Sequence, residues 1–244
     1  MKITLNKNIL LTKFLSPIAK VADRCVISIY PDHIQSMVTT ADTNPILFAK
    51  VNTKSDLGKE KEVVLNIPSV NKLTRVLNCI TNDEIELDVN SNNIEYNSLN
   101  MRFTYHLLED DVIPSAPVSI EKIKNLTFDT DFVISKDKAS DIIKGSTFAT
   151  ESNKLYFYTK DENVHAELTD KKVANTDSVS YFITDEYSGT EVKKPMLMKF
   201  EIFKMFSGLN QDIIAKMNTK LRVMMFKFED DDFTLQYIVS PNTK

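Results

Sequence analysis

The chain runs through one order of elements twice, and an internal duplication limits the fold to two copies of one module. In the first half, "ILLTKFLSPIAKVA" (9–22) has a helical period, with Ile9, Leu10, Phe14, Ile18 and Val21 inward. "CVISIY" and "HIQSMV" read as strands around a turn at Pro31–Asp32, and "PILFAKV" as a third. A polar loop at 53–62 leads into the strand "VVLNI" and a helix over 68–80. Short strands in "EIELDVN", "NIEYNS" and "MRFTYHL" finish the half. The second half starts with a helix in "KDKASDIIKGSTF" (136–148), then strands in "KLYFYT", "VHAELT" and "SVSYFIT". "PMLMKFEIFKMFSGLN" reads as a strand running into a helix. "KLRVMMFKF" and "FTLQYIV" read as a hairpin around "EDDD". At an offset of 132 residues, Leu197 falls on Leu65, Lys204 on Lys72, and Leu209–Asn210 on Leu77–Asn78.

This pattern predicts an α+β fold of two similar domains, 1–107 and 126–244, each with about two helices packed on antiparallel sheets. Residues 108–125, "LEDDVIPSAPVSIEKIKN", read as the connector: two prolines, three consecutive acids and no helical period. Val112, Ile113, Val118 and Ile120 allow it to pack on something. Two features break the pattern. Pro17 lies inside the first helix, where it removes a hydrogen bond and predicts a bend. "NQDIIAK" (210–216) reads as an insertion after the fourth helix.

Charge divides with the elements. The four helix spans 7–24, 68–80, 135–148 and 199–209 hold eleven Lys and Arg against four Asp and Glu. They carry net +7, which leaves −11 for the rest of a chain whose total is −4. Lys13 and Lys20 are seven apart, and Lys72 and Arg75 three apart, so each pair shares a helix face. Span 68–80 contains no acid at all. Lys-rich helix faces are often merely solvated. Four of them in repeated positions fit a surface that meets a polyanion through sequence-independent phosphate contacts. Aromatic and basic residues do not alternate as they do where single-stranded bases stack.

The residues also exclude several chemistries. Gly58, Gly145, Gly189 and Gly208 are the only glycines, none within five residues of another. A phosphate-cradling loop needs them clustered. His33, His106 and His165 are scattered, which argues against a metal site. The acids of "EDDD" (229–232) alternate in direction on a strand and cannot converge on one ion. No nucleophile and base pair up, so the chain reads as a non-enzyme without a cofactor. The N-terminus has no signal-peptide pattern, no apolar run reaches membrane-spanning length, and Cys25 and Cys79 read as reduced thiols in a cytoplasm.

Several stretches resemble those of the sliding clamps, the DNA polymerase processivity factors that include the proliferating cell nuclear antigen and the clamps of large tailed phages. "IQSMVTT" with Met37 is similar to a clamp segment early in the first domain. "VVLNIPSVNKLTRVLNCITNDEIELDV" resembles a clamp's strand, second helix and following strand. "MKFEIFKMFSGL" resembles the corresponding stretch of the second domain, and "YIVSP" the clamp C-terminus. The resemblance spans essentially the whole chain. The Lys- and Asn-rich composition suits a bacteriophage of an AT-rich host, acting in the host cytoplasm.

The resemblance implies a six-domain ring, hence three copies of a two-domain chain. Twelve helices about 10 Å across would enclose a hole of roughly 28 Å, enough for a duplex about 20 Å wide. The DNA-facing residues would be Lys13, Lys20, Arg24, Lys72, Arg75, Lys138, Lys144 and Lys204. Subunits would join edge to edge through Phe103 and Tyr105 of one copy and Val179, Tyr181 and Ile183 of the next. A polymerase tail peptide would anchor in a pocket walled by Met37, Ile113, Val118, Ile238 and Pro241. An ATP-dependent clamp loader would be a further partner. Two other readings remain open on the residues: a β-rich self-assembling virion protein, and a monomeric processivity factor of the same fold.

Overall fold

The computed structural model of the chain describes residues 1–58, 60–114 and 118–240. Its helices are few and short, and its strands are many and antiparallel. The chain divides into two compact units. The first is Met1–Ile123 with Glu229–Leu235, and the second is Lys124–Phe228 with the chain from Gln236 onward.

The first half opens with β1 (Lys2–Asn6), a strand not anticipated above, with Ile3 and Leu5 buried. The predicted helix over 9–22 is three pieces: α1 (Lys7–Ile9), a π-helical turn (Leu10–Leu15) and α2 (Ser16–Val21). Pro17 gives the reason. It cannot donate to the carbonyl four residues back, and its ring crowds that turn. The wider π turn ahead of it, in which the Ser16 N–H donates to the Leu11 carbonyl, makes room. Of the residues expected inward, Leu10, Phe14, Ile18 and Val21 are buried and Ile9 is half-buried. There follow β2 (Cys25–Ile29), β3 (His33–Thr39), β4 (Ile46–Asn52), β5 (Lys54–Ser55), β6 (Val63–Ile67) and α3 (Val70–Asn78). β7 (Glu84–Val89), β8 (Asn93–Asn97) and β9 (Arg102–His106) complete the half. Two sheets result, ordered β5-β1-β7-β8-β9 and β4-β3-β2-β6. Their alternating apolar residues and the helices share one core, in which Ile29, Ile67, Val70 and Leu77 are fully buried.

The connector contains a short helix, α4 (Ile120–Lys124), with Ile123 buried, where no helical period was apparent. The second half then repeats the first, element for element. β10 (Thr130–Ile134), α5 (Lys136–Gly145), β11 (Lys154–Lys160), β12 (Asn163–Leu168), β13 (Val179–Thr184), β14 (Tyr187–Gly189) and β15 (Met196–Lys199) come first. α6 (Phe200–Lys204), β16 (Ile213–Asn218), β17 (Val223–Glu229) and β18 (Phe233–Val239) follow. The orders β14-β10-β16-β17-β18 and β13-β12-β11-β15 reproduce those of the first half. Residues 210–216 are therefore no insertion. Ile213, Ala215 and Met217 are buried in β16, which pairs with β10 and β17 as β7 pairs with β1 and β8.

α6 has only five residues, too few to persist on helical hydrogen bonds alone. Packing holds it. Phe200, Ile202 and Phe203 are buried, and Phe203 meets Phe157, Phe206 and Phe226 at ring-centroid distances of 5.2–6.4 Å. Phe206 continues the cluster to Phe228 and Tyr237. The acids of "EDDD" sit at a hairpin turn, where the Asp230 carboxylate accepts the N–H groups of Asp232 and Phe233.

Candidate DNA-facing helices and partner groove

α3 carries the most sharply divided surface. Val70, Leu73 and Leu77 are buried, whereas Asn71, Lys72, Arg75 and Asn78 are exposed. Its start is fixed three ways. The Ser69 hydroxyl accepts the Lys72 N–H at 3.2 Å, closing the first turn. The Asp23 carboxylate accepts both the backbone N–H and the side-chain amide of Asn71, at 2.9 and 2.7 Å. The Tyr105 hydroxyl donates to the Ser69 carbonyl at 2.6 Å and accepts the Ser69 N–H at 3.0 Å. Burial raises the Asp23 carboxyl, but the bonds from Asn71 and Ser69 and the charge of Arg75 outweigh it and hold the group below the usual range. Asp23 thus faces the helix N-terminus, where a negative charge is favourable, and leaves the outer face purely basic.

The other predicted DNA-facing residues differ in their surroundings. Lys20 is exposed on α2, and Lys13 is half-buried on the π turn. Desolvation lowers both below the usual lysine range, and the charge of Asp230 partly offsets it at Lys13. The Lys13 ammonium also lies 5.1 Å from the centre of the Phe233 ring. On α5, Lys144 is exposed and 3.9 Å from Asp141, while the Lys138 ammonium lies over Phe182 at 5.7 Å. Lys204 of α6 is exposed, with its ammonium 4.9 Å from the Phe200 ring. Arg24 follows α2 in the turn before β2, and its side chain lines a groove of the first unit.

That groove encloses about 1020 Å³. Its floor is the outer face of the sheet, from Val26 and Ser28 of β2, Gln35, Met37 and Thr39 of β3, and Val64 and Asn66 of β6. One wall is the connector at Asp110, Asp111, Val112, Ile113 and Pro114, and Ile120 also lines it. The connector is pinned to β6: the Leu108 N–H donates to the Asn66 carbonyl at 2.9 Å, and the Asn66 side chain donates to the Asp110 carboxylate at 3.0 Å. Of the five pocket residues expected, the structure brings Met37 and Ile113 together here. Val118 is half-buried outside the lining, Ile238 is buried in β18, and Pro241 lies outside the described residues. The roles of Asn66 and Asp110 were not readable from sequence, because nothing local announces a bond 44 residues long.

The strands expected to join subunits are both sheet edges, β9 in one order and β13 in another. Phe103 is half-buried and stacks on Tyr96 at 5.8 Å. Tyr105 is buried and committed to Ser69 within its own chain. Ile183 is buried, and Val179 and Tyr181 are half-buried. The Tyr181 hydroxyl occupies the space beside Gly145 that a Cβ would fill, so α5 comes close against β13.

No family model matches the sequence, and no curated protein matches it. Solved structures do. The proliferating cell nuclear antigen of A. fulgidus, solved with the C-terminal region of FEN-1 bound, superposes with a TM-score of 0.79 at 14% identity over 100% of this chain and 98% of that one. The proliferating cellular nuclear antigen of Entamoeba histolytica gives 0.77 at 13% identity over 99% and 98%. The PCNA2–PCNA3 complex of Sulfolobus tokodaii gives 0.74 at 11% identity over 100% of both chains. At such low identity these matches speak to architecture, and they cover the whole of it: the chain has the sliding-clamp fold.

Proposed function

We propose that the chain is the subunit of a ring that encircles duplex DNA and tethers a replicative DNA polymerase to it. The observation that carries this reading is the duplicated module itself, which bears basic helices and matches clamps along its full length. In this reading the domains are 1–107 and 126–244, joined by 108–125, and three copies close the ring. Lys20, Lys72, Arg75, Lys144 and Lys204, exposed on their helices, touch phosphates weakly enough for the ring to slide. Lys13 and Lys138, over Phe233 and Phe182, contribute field more than contact. Topology holds the DNA, so tight binding is not required. The acidic remainder of the chain repels DNA from the other surfaces. The protein performs no catalytic step. An ATP-dependent loader opens the ring, and the setting is the cytoplasm of a phage-infected cell.

The groove at Met37 takes the partner's tail peptide. Its supports are the apolar residues Val26, Met37 and Val64 of the floor, the pinned connector wall and the A. fulgidus clamp, solved with a segment of another protein bound. Reversing charge at α3 tests the inner surface. Lys72→Glu with Arg75→Glu should leave folding and assembly intact and shorten the tracts that the polymerase synthesises on primed DNA. Unchanged tract length would remove α3 from the DNA-facing surface.

A further inference from the structure

β6 and β15 hold the same place in the two halves. Each ends its sheet, beside β2 or β11, and each runs into a helix. Their outer edges differ. The connector caps β6, where the Leu108 N–H donates to the Asn66 carbonyl at 2.9 Å. Among the described residues nothing takes that place beside β15, whose Met196, Leu197 and Met198 are paired only with β11. The open edge is bracketed by bases: Lys193 and Lys194 precede the strand and Lys199 ends it, all exposed. Lys199 stands directly opposite Lys154 in the ladder, a like-charge pair that is unfavourable until acids join it. Asp170 joins at Lys154, at 2.6 Å, and Glu191 at Lys193, at 3.3 Å. Lys194 has no ion pair among the described residues. On the outward face, half-buried Leu197 pairs with Tyr156. At the head of the strand lies a cleft of about 350 Å³, lined by Thr190, Val192, Lys193, Lys194 and Thr219 with Glu191. Asp129 fixes both its sides: its carbonyl accepts the Thr190 N–H at 2.7 Å, and its carboxylate accepts the Thr219 hydroxyl at 2.7 Å.

We infer that β15 is a docking edge for an extended segment of a partner protein that carries acidic and apolar residues, laid beside β15 as the connector lies beside β6. The connector itself displays the chemistry: Glu109, Asp110 and Asp111 stand between Leu108 and Val112–Ile113. Backbone hydrogen bonds to the open edge supply affinity, and side chains supply selectivity. The acids of the segment meet Lys194 and Lys199, its apolar residues cover Leu197, and the cleft receives the part beyond the strand. A second copy of β15 is excluded as the occupant, because it would set lysine against lysine. A nucleic acid would satisfy the lysines but offers no strand to the unpaired backbone. This edge belongs to the second unit, and its occupancy requires neither the ring nor the groove at Met37.

The probe is a fluorescein-labelled peptide LLEDDVIP, the sequence of residues 107–114, with LLQNNVIP as its uncharged control. Fluorescence anisotropy on the full chain reads its affinity. The acidic peptide should bind about tenfold more tightly than the control, and more weakly as salt rises. Lys193→Glu with Lys194→Glu should cost about tenfold, and Leu197→Ala several-fold, whereas Met37→Ala should cost nothing. Circular dichroism verifies that each variant folds. No preference for the acidic peptide, or binding that survives the lysine reversal, would overturn the β15 edge. Loss through Met37→Ala would move the peptide to the groove and overturn it equally. So would an oligonucleotide of equal charge that binds as tightly and weakens in the same variants, since the lysines would then serve a nucleic acid. None of these outcomes touches the ring, which is tested separately.

Discussion

At the scale of single residues, environment separates side chains that the sequence presents alike. The two cysteines are the plainest case. Cys25 is buried in β2, and desolvation pushes its thiol up to about 12, against a weaker lowering by the Ser36 hydroxyl. Cys79 is exposed at the end of α3. The thiolate is the reactive form, so a thiol reagent at neutral pH should label one cysteine in the folded protein and two after denaturation. Rapid labelling of both in the native state would contradict the burial of β2. Met37 makes a second prediction. It lines the groove beside Val26 and Val64, and truncation removes apolar surface worth about 1–3 kcal/mol when covered. Met37→Ala should lower affinity for a polymerase-tail peptide about tenfold without changing the melting temperature. Unchanged affinity would clear Met37 of that role. Sequence alone could not rank the cationic residues. Lys72 and Lys13 look equivalent in a string, yet one stands free of acids on α3 and the other is drawn to Phe233 and Asp230 by a hairpin more than 200 residues away.

At the scale of elements, periodic segments were legible and those defined by pairing were not. β2, β3 and β12 alternate strictly between buried and half-buried residues, β4 and β11 each carry a run of three buried residues, and α3 shows its apolar stripe. β1 and β16 escaped although Ile3 and Leu5, and Ile213, Ala215 and Met217, alternate inward, because five or six residues next to a helical pattern give too few repeats to separate the two periods. They become strands by pairing with β7 and with β10, partners about 80 residues away. The first helix was legible in its apolar face but not in its hydrogen bonding, which Pro17 alters. Of the groove, Met37 and Ile113 were legible, whereas the bonds that pin its wall were not. The junction of β10 and β16 yields a pH prediction. Burial raises the Asp129 carboxyl, but the Thr219 hydroxyl at 2.7 Å and its N–H at 3.0 and 3.2 Å outweigh it, and the net shift is downward. A carboxyl depressed by folding stabilises the folded state above its unfolded pKa, and that gain is lost as pH falls through the folded value. Asp129→Asn should therefore lower the melting temperature at pH 7 and make little difference near pH 2. An equal loss at both pH values would assign the effect to packing.

At the scale of the whole molecule, the claim is topological: a closed ring needs only weak contact with DNA to remain on it. Three copies of a 27.9 kDa chain make an assembly of about 84 kDa. The direct measurement is retention on linear duplex whose ends are blocked after the protein has been allowed to thread on, compared with the same duplex left open at one end. Encirclement predicts long residence on the blocked duplex in salt that abolishes ordinary charge attraction, and rapid loss through an open end. Equal residence on the two substrates would mean that the protein grips DNA from the side, and would contradict the ring.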